Sequence, residues 1–252
     1  MDFLEKILLQ KQSEVIAMAA EELQPLRQTT SFVERVKEQP NQVHIIGEIK
    51  RASPSKGAIN LGVDSIQQAK LYEAAGVSAI SVLTDEQFFN GSIETLKEVA
   101  SAVTIPVLCK DFIIDEKQLI RARNAGATMV LLIVAALHEE QLSRLFAKAE
   151  ELGLEVLLEV HDLAEQQTAE ALKAPLIGVN NRDLKTFEVS IETSQKLGAL
   201  QKTDAVYISE SGFTSAEQVE SIREQYQGVL VGETLMRAAS PAEKVKELRV
   251  IR

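Results

Sequence analysis

A chain of 252 residues that is 45% hydrophobic can bury a sizeable core without disulfides or structural metal. Its formal net charge of −10, with no basic block and no interleaving of aromatic and basic residues, argues against nucleic acid or an anionic membrane as a partner. The single cysteine, Cys109, cannot form an internal bridge and fits a reducing compartment, no apolar run reaches the roughly 18 residues of a membrane helix, and charges run through the opening MDFLEKILLQKQ, so a cytoplasmic protein is expected.

Residues 1–40 read as a helical extension. LEKILLQKQSEVIAMA is amphipathic, and Ser31 with Glu34 forms a capping box for FVERVKE. From residue 44 short apolar runs alternate with longer amphipathic ones. The expected strands are 44–50, 79–84, 106–112, 129–135, 155–161, 176–182, 206–211 and 228–233, all nearly continuous in Val, Ile and Leu, as parallel strands covered on both faces are. The helices between them carry start signals at Asp64, Ser92, Asp115, His138, Asp162, Thr214 or Ser215, and Pro241. AGVSAISVLT, AGATMVLLIV and LGLEVLLEV repeat one joint, a helix stopped near Gly and followed by a buried strand. The expected fold is α/β: one (βα)8 TIM barrel domain over 1–252, with the extension at 1–40 and the barrel at 44–252. An open, doubly wound sheet is the alternative.

Four of the strands break their apolar run at the end with residues two apart, which on a strand share a face. They are Glu48 and Lys50, Lys110 and Phe112, Glu159 and His161, and Asn180 and Arg182. A buried strand carries lysine or glutamate inward only if the charge is paired or used. With Glu210, the set brings two ammonium groups and three carboxylates to one barrel mouth, where pKa values are driven apart and both acids and bases arise near neutrality. Each charge alone would fit a salt bridge at the rim. Cys109, inside PVLC, reads as a small core residue, and His44, His138 and His161 show no metal-ligand spacing.

The loops add an anion site and apolar walls. Ser211 and Gly212 follow the seventh strand, and Gly232 follows the eighth with Thr234 opening a short helix, the place where barrels hold phosphate. Two tight turns would give the same letters. RASPSKGAIN after the first strand is either a loop that closes on an anion or a plain connection. Phe88 and Phe89, in TDEQFFNGS, form a wall for a planar substrate or a satellite core beneath the loop, and Phe112 offers another wall.

IGEIKRASPSKG, LTDEQFFNGS, VLCKDFIID, LLEVH, GVNNRDL, ISESG and VGETLM, in that order, resemble the indole-3-glycerol-phosphate synthase family of tryptophan biosynthesis, from about residue 44 to the end. The helical extension is also a trait of that family. The resemblance implies ring closure, decarboxylation and dehydration of 1-(2-carboxyphenylamino)-1-deoxyribulose 5-phosphate, with no metal or organic cofactor. Lys110 would be the general acid at the ribulose carbonyl, and Glu159 the acid/base of ring closure and dehydration. Lys50 would meet phosphate or carboxylate, with a proton-donor role in dehydration open to it. Glu48 and Asn180 would orient sugar hydroxyls and the lysine. Glu210 and Ser211 would support the lysines and ribulose oxygens. Arg182, Gly212, Gly232 and the amide of Glu233 would hold phosphate, the Glu233 carboxylate turned away because it would repel the anion. Ser53 would meet the anthranilate carboxylate, and Phe89, Phe112, Leu131 and Leu184 would line the aromatic pocket. The implied partner is a small phosphorylated substrate, with no nucleic acid or membrane, on a monomer or weak homodimer. The rival readings are another phosphate-binding barrel, such as a phosphoribosylanthranilate isomerase, and a non-catalytic barrel that binds a sugar phosphate.

Overall fold

The computed structural model describes residues 2–53, 57–58 and 62–252. The apolar runs become the strands β1 (His44–Ile49), β2 (Ala79–Leu83), β3 (Val107–Lys110), β4 (Met129–Ile133), β5 (Glu155–Val160), β6 (Leu176–Asn180), β7 (Val206–Glu210) and β8 (Gly228–Val231). All pair in parallel in the order β1-β8-β7-β6-β5-β4-β3-β2, and β1 pairs with β2 to close the ring. Closure decides against the open sheet. A short antiparallel hairpin, Ala52–Ser53 with Gly57–Ala58, follows β1.

The twelve helices of the described residues are α1 (Phe3–Ala17), α2 (Phe32–Glu38), α3 (Ser65–Ala74), α4 (Glu86–Phe89), α5 (Ile93–Ala102), α6 (Glu116–Asn124), α7 (Glu139–Glu151), α8 (Leu163–Ala171), α9 (Glu192–Gly198), α10 (Ala216–Glu220), α11 (Glu233–Arg237) and α12 (Pro241–Leu248). The side chains of Asp64, Ser92, Asp115 and Asp162 accept from backbone N–H groups at the starts of α3, α5, α6 and α8. Ser215, rather than Thr214, is the N-cap of α10, and His138 stands at the start of α7 without a side-chain cap. The strands end earlier than expected. Beyond β3, Asp111 accepts from the Thr84 hydroxyl and the Phe112 amide, and β4 gives way at Val134 to a 3-10 turn. At strand ends, polar side chains that bond to nearby loops pull the backbone out of the ladder.

Alternation across the strands splits the core in two. One face packs under the helices. The other fills the barrel, with Ile46, Leu108, Met129, Leu157, Leu176 and Ile208 meeting Phe32, Val33 and Val36 of α2. Helix α2 is therefore a stopper. It lies at the amino ends of the strands, where Phe32 packs edge-on to His44, the first residue of β1. The expected capping box is half realised. The Glu34 amide donates to Ser31 Oγ at 3.1 Å, and in place of a return bond from the Glu34 carboxylate the start of α2 is held by Glu155, the first residue of β5. Its carboxylate accepts from Ser31 Oγ at 2.6 Å, from the Phe32 amide at 2.7 Å and from the Val33 amide at 3.0 Å. The extension then ties α2 to the opposite end of the barrel. Arg27 bonds the carbonyls of Val103 and Ile105 along the way, and α1 sits over the carboxyl ends of the strands.

Glu155→Ala removes the acceptor of three bonds and leaves the Phe32 and Val33 amides at the start of α2 without it, while Ser31 Oγ still caps the Glu34 amide. It is expected to lower stability by about 2 kcal/mol, as for hydrogen bonds to a charged group. Chemical denaturation of the purified protein measures this, and an unchanged midpoint would show that α2 is held by its apolar face alone.

Candidate active site

The carboxyl end of the barrel opens into a cavity of about 840 Å³. Lys110 ends β3 and Glu210 ends β7, the strand opposite it in the ring. The Lys110 ammonium reaches across to Glu210 Oε2 and also donates to Glu159 Oε2, on β5, at 3.3 Å. Just beyond β1, Lys50 Nζ stands 2.6 Å from Glu48 Oε1. The three carboxylates are buried, and the two ammonium groups are half-buried at their mouth. Gly178 on β6 makes room for this cluster, because a methyl group there would overlap Glu210 Oε1.

These contacts set the proton affinities. Burial pushes the Lys110 pKa down, but Glu210 and Glu159 push it up further, so the group is an ammonium ion. Burial would raise Glu159, yet Lys110 and then His161 overcome it and hold this carboxyl well below the usual range. Burial dominates at Glu210. The pull of Lys110 does not offset burial together with the charges of Glu159 and Glu48, and the pKa is pushed up to about 7. Two carboxyls sharing one ammonium thus divide into a firm carboxylate and a group that exchanges a proton near neutrality.

The strand order gives the cavity two sides. Phe89 ends α4 after β2, Phe112 follows β3, and Leu131 and Ile133 lie on β4; the Phe89 and Phe112 rings stand 6.1 Å apart at 34°. Leu184, beyond β6, and Phe3, Leu4 and Ile7 of α1 extend the apolar lining. Across from them lie Ser211, Gly212, Gly232 and Glu233 on the turns after β7 and β8. Ser211 and Gly212 have φ of 70° and 96° in succession. A serine in this region costs about 1–2 kcal/mol. Asn181 holds it there: its amide donates to the Ser211 carbonyl and to Ser209 Oγ, both at 3.0 Å, and its oxygen accepts from the Ser194 amide in α9. Thr234 Oγ1 donates to the Phe213 carbonyl and joins the two turns.

The family model described as "Indole-3-glycerol phosphate synthase" matches residues 4–248. The chain belongs to the indole-3-glycerol phosphate synthase family. A protein of that name from Listeria monocytogenes is 58% identical over 252 residues, covering 100% of both chains. One from Streptococcus sanguinis is 56% identical, covering 99% of this chain and 98% of its own. Among solved structures, 3-hexulose-6-phosphate synthase from Salmonella typhimurium superposes with a TM-score of 0.66 at 15% identity, over 82% of this chain and 96% of its own, which speaks to the fold.

Most residues that the family resemblance singles out in the sequence meet in this cavity. Glu48, Lys50, Lys110, Glu159, Asn180, Glu210 and Ser211 all line it, as do Arg182, Leu184, Gly212, Gly232 and Glu233. Arg182 donates from Nη1 to the Phe187 carbonyl at 3.1 Å, and its amide donates to Asn180 Oδ1. The Glu233 carboxylate is 3.1 Å from Arg237 Nε. The side chain of Ser53 and most of the loop 54–61 lie outside the described residues. Of the phenylalanine pair, each fits a different reading: Phe89 lines the cavity, whereas Phe88 packs edge-on against Phe3 of α1 at 5.5 Å.

Three contributors were not identified from the sequence. Asn181 carried only a motif letter. His161 shared a strand face with Glu159, but nothing showed that Glu165, one helical turn on, would hold its other side. His161 Nε2 stands 3.2 Å from Glu159 Oε1, and Nδ1 is 3.0 Å from Glu165 Oε2. Burial pushes the imidazole down, but Glu159 and Glu165 raise it to about 10, so the ring is an imidazolium that supports the Glu159 carboxylate. Lys11 of α1, only 1% exposed, lies among Asp85, Asp111 and Glu14 at 2.8–2.9 Å. Burial lowers its pKa, and Asp111 with Asp85 more than restores it.

His161→Asn removes a positive charge that lowers the Glu159 pKa, so that pKa should rise. Carbon NMR of side-chain-labelled protein should show Glu159 taking up its proton at higher pH than in the parent. An identical titration would show that Lys110 alone holds the carboxylate.

Proposed function

We propose that this cavity binds 1-(2-carboxyphenylamino)-1-deoxyribulose 5-phosphate and converts it to indole-3-glycerol phosphate by ring closure, decarboxylation and dehydration. The chain is a carboxy-lyase of tryptophan biosynthesis. The observation that carries the residue assignment is the Lys110 ammonium, held between Glu159 and Glu210 with aromatic walls on one side and the β7 and β8 turns on the other.

In this reading the phosphate rests on the turns at Gly212 and Gly232, with the Glu233 amide and Arg182. The pairing of the Glu233 carboxylate with Arg237 supports an approach by anion to the backbone alone. The anthranilate ring lies between Phe89 and Phe112 against Leu131 and Leu184, its carboxylate toward Ser53. Glu48 and Asn180 orient the sugar hydroxyls. The ring carbon bearing the carboxylate attacks the ribulose carbonyl, and negative charge grows on that oxygen. A positioned ammonium in a site of low dielectric is the matching donor, so Lys110 delivers the proton. The ring is then cationic, and CO2 leaves as its bonding pair refills the ring. The protein's share in that step is orientation and exclusion of water. Dehydration needs an acid at the departing hydroxyl and a base for the proton on the adjacent carbon. Glu159, held ionised, is the base. Lys50 beside Glu48, or Lys110 once reprotonated, is the acid. Glu210, near 7, exchanges the proton that recharges Lys110 between steps, with Ser211 supporting the ribulose oxygens.

Residues 1–252 act as one domain in this scheme, supported by the contacts of α2 with the barrel interior and of α1 with the cavity. Among the described residues no helix is long and apolar enough to cross a membrane. A cytoplasmic location fits a biosynthetic enzyme whose only cysteine is a buried thiol.

The chain has no tryptophan, so product indole fluorescence can be followed against almost no protein background. Emission should rise when substrate is added, and Lys110→Met should lower turnover by at least ~10²-fold, as for loss of a general acid. Near-parental turnover in that variant would remove Lys110 from the chemistry. Substrate binding without any emission would favour a non-catalytic barrel. Arg182→Ala should act chiefly on KM through lost contacts to phosphate, and an unchanged KM would overturn that assignment.

A further inference from the structure

Lys11 is a long way in sequence from the barrel strands, yet it is among the largest fully buried side chains of the molecule. It carries a charge into a site with two aspartates, and each of these does a second job. Asp85 Oδ1 accepts from the Phe88 amide at 2.7 Å and so caps α4, the single turn whose last residue is Phe89. Asp111 Oδ1 accepts from the Phe112 amide at 2.8 Å, and its Oδ2 from Thr84 Oγ1 at 2.7 Å. The Lys11 ammonium stands 2.8 Å from Asp85 Oδ2 and 2.9 Å from Asp111 Oδ1. One cation therefore ties together the two loops that present Phe89 and Phe112 to the cavity.

We propose that Lys11 is a positioning residue that sets the gap between Phe89 and Phe112, and with it the affinity for the aromatic half of the substrate. The inference rests on the proposed placement of the anthranilate ring. The physical ground is that two buried carboxylates 26 positions apart in sequence would repel one another without the ammonium between them. Losing it drives the loops after β2 and β3 apart or draws water between them, and either change moves both rings. The partners of Lys11 are Glu14, Asp85 and Asp111, and the turns after β7 and β8 are not among them. Helix α1 is in this way part of the binding site twice, through Phe3, Leu4 and Ile7 in the lining and through Lys11 beneath the walls.

The test compares the parent with Lys11→Met, which keeps the length of the side chain and removes the charge. Two constants are measured: KM for the carboxyphenylamino-deoxyribulose phosphate, and the competitive inhibition constant of inorganic phosphate, which reports the far end alone. KM is expected to rise by roughly tenfold, the scale on which small misplacements of positioning groups act, with kcat within about twofold and the phosphate constant unchanged. A merely structural lesion lowers the active fraction, and hence kcat, at constant KM. An unchanged KM, or a KM and phosphate constant that move together, overturns the proposal. If Lys11→Met does not fold, Lys11→Gln carries the same comparison, because a neutral amide removes the charge and still offers hydrogen-bond donors to the aspartates. Failure of both variants to fold would make Lys11 a stability residue and would also overturn it. A parent protein that turns over no substrate would count instead against the proposed function.

Discussion

The Lys110 ammonium has to balance two buried carboxylates from different strands, and much of the carboxyl end of the barrel is arranged around that requirement. A lysine in a site of low dielectric remains charged only beside anions, and two glutamates in such a site are tolerated only beside a cation. Closure of eight strands brings the partners within reach, because β3 and β7 face each other across the ring. Gly178 clears the space that the Glu210 carboxylate occupies. His161 and Glu165 extend the alternation of charge outward from Glu159 toward α8. The same crowding separates the two carboxyls in proton affinity, so the interaction that makes the cluster stable also makes it chemically unequal.

A second buried cation, Lys11, does comparable work for shape. The extension enters at the bottom of the barrel as the stopper α2 and at the top as α1, with Arg27 fastened to the carbonyls of Val103 and Ile105 just ahead of β3. Apolar burial and the Glu155 carboxylate secure α2, whereas the ion pairs of Lys11 and the packing of Phe3 and Ile7 secure α1. The two ends differ because the barrel bottom is filled with side chains of the interior and the top must leave a cavity open. Asn181 braces the turn after β7 as Lys11 bridges the loops after β2 and β3: each is a buried polar group whose partners are the loops that carry the lining.

The strands and the converging charges were readable because each rests on local pattern. Continuous Val, Ile and Leu runs bounded by Gly give buried parallel strands, and residues two apart at a strand end must share a face. Family motifs then attached roles to Glu48, Lys110 and Glu159. Lys11 was not readable, because a lysine on an amphipathic helix looks the same whether it meets water or two aspartates more than seventy positions away. Asn181 was hidden for a similar reason, since its partners lie on β7 and α9. The Ser31 motif foretold only the bond to the Glu34 amide, because the acceptor of the Ser31 hydroxyl and of the next two amides, Glu155, arrives from another part of the fold. The strands stop short of their apolar runs because loop hydrogen bonds, such as those of Asp111, begin inside them and leave no mark on the apolar pattern.

The bond between Ser31 and Glu155 spans 124 residues. A ribosome adding about 5–20 residues per second needs roughly 6 to 25 seconds to make that stretch. Throughout that time Phe32, Val33 and Val36 are already synthesised but have neither β5 nor a closed ring to enter. The earliest apolar surface of the barrel core is thus held in waiting during translation, and the stopper can seat only after more than half of the chain has emerged.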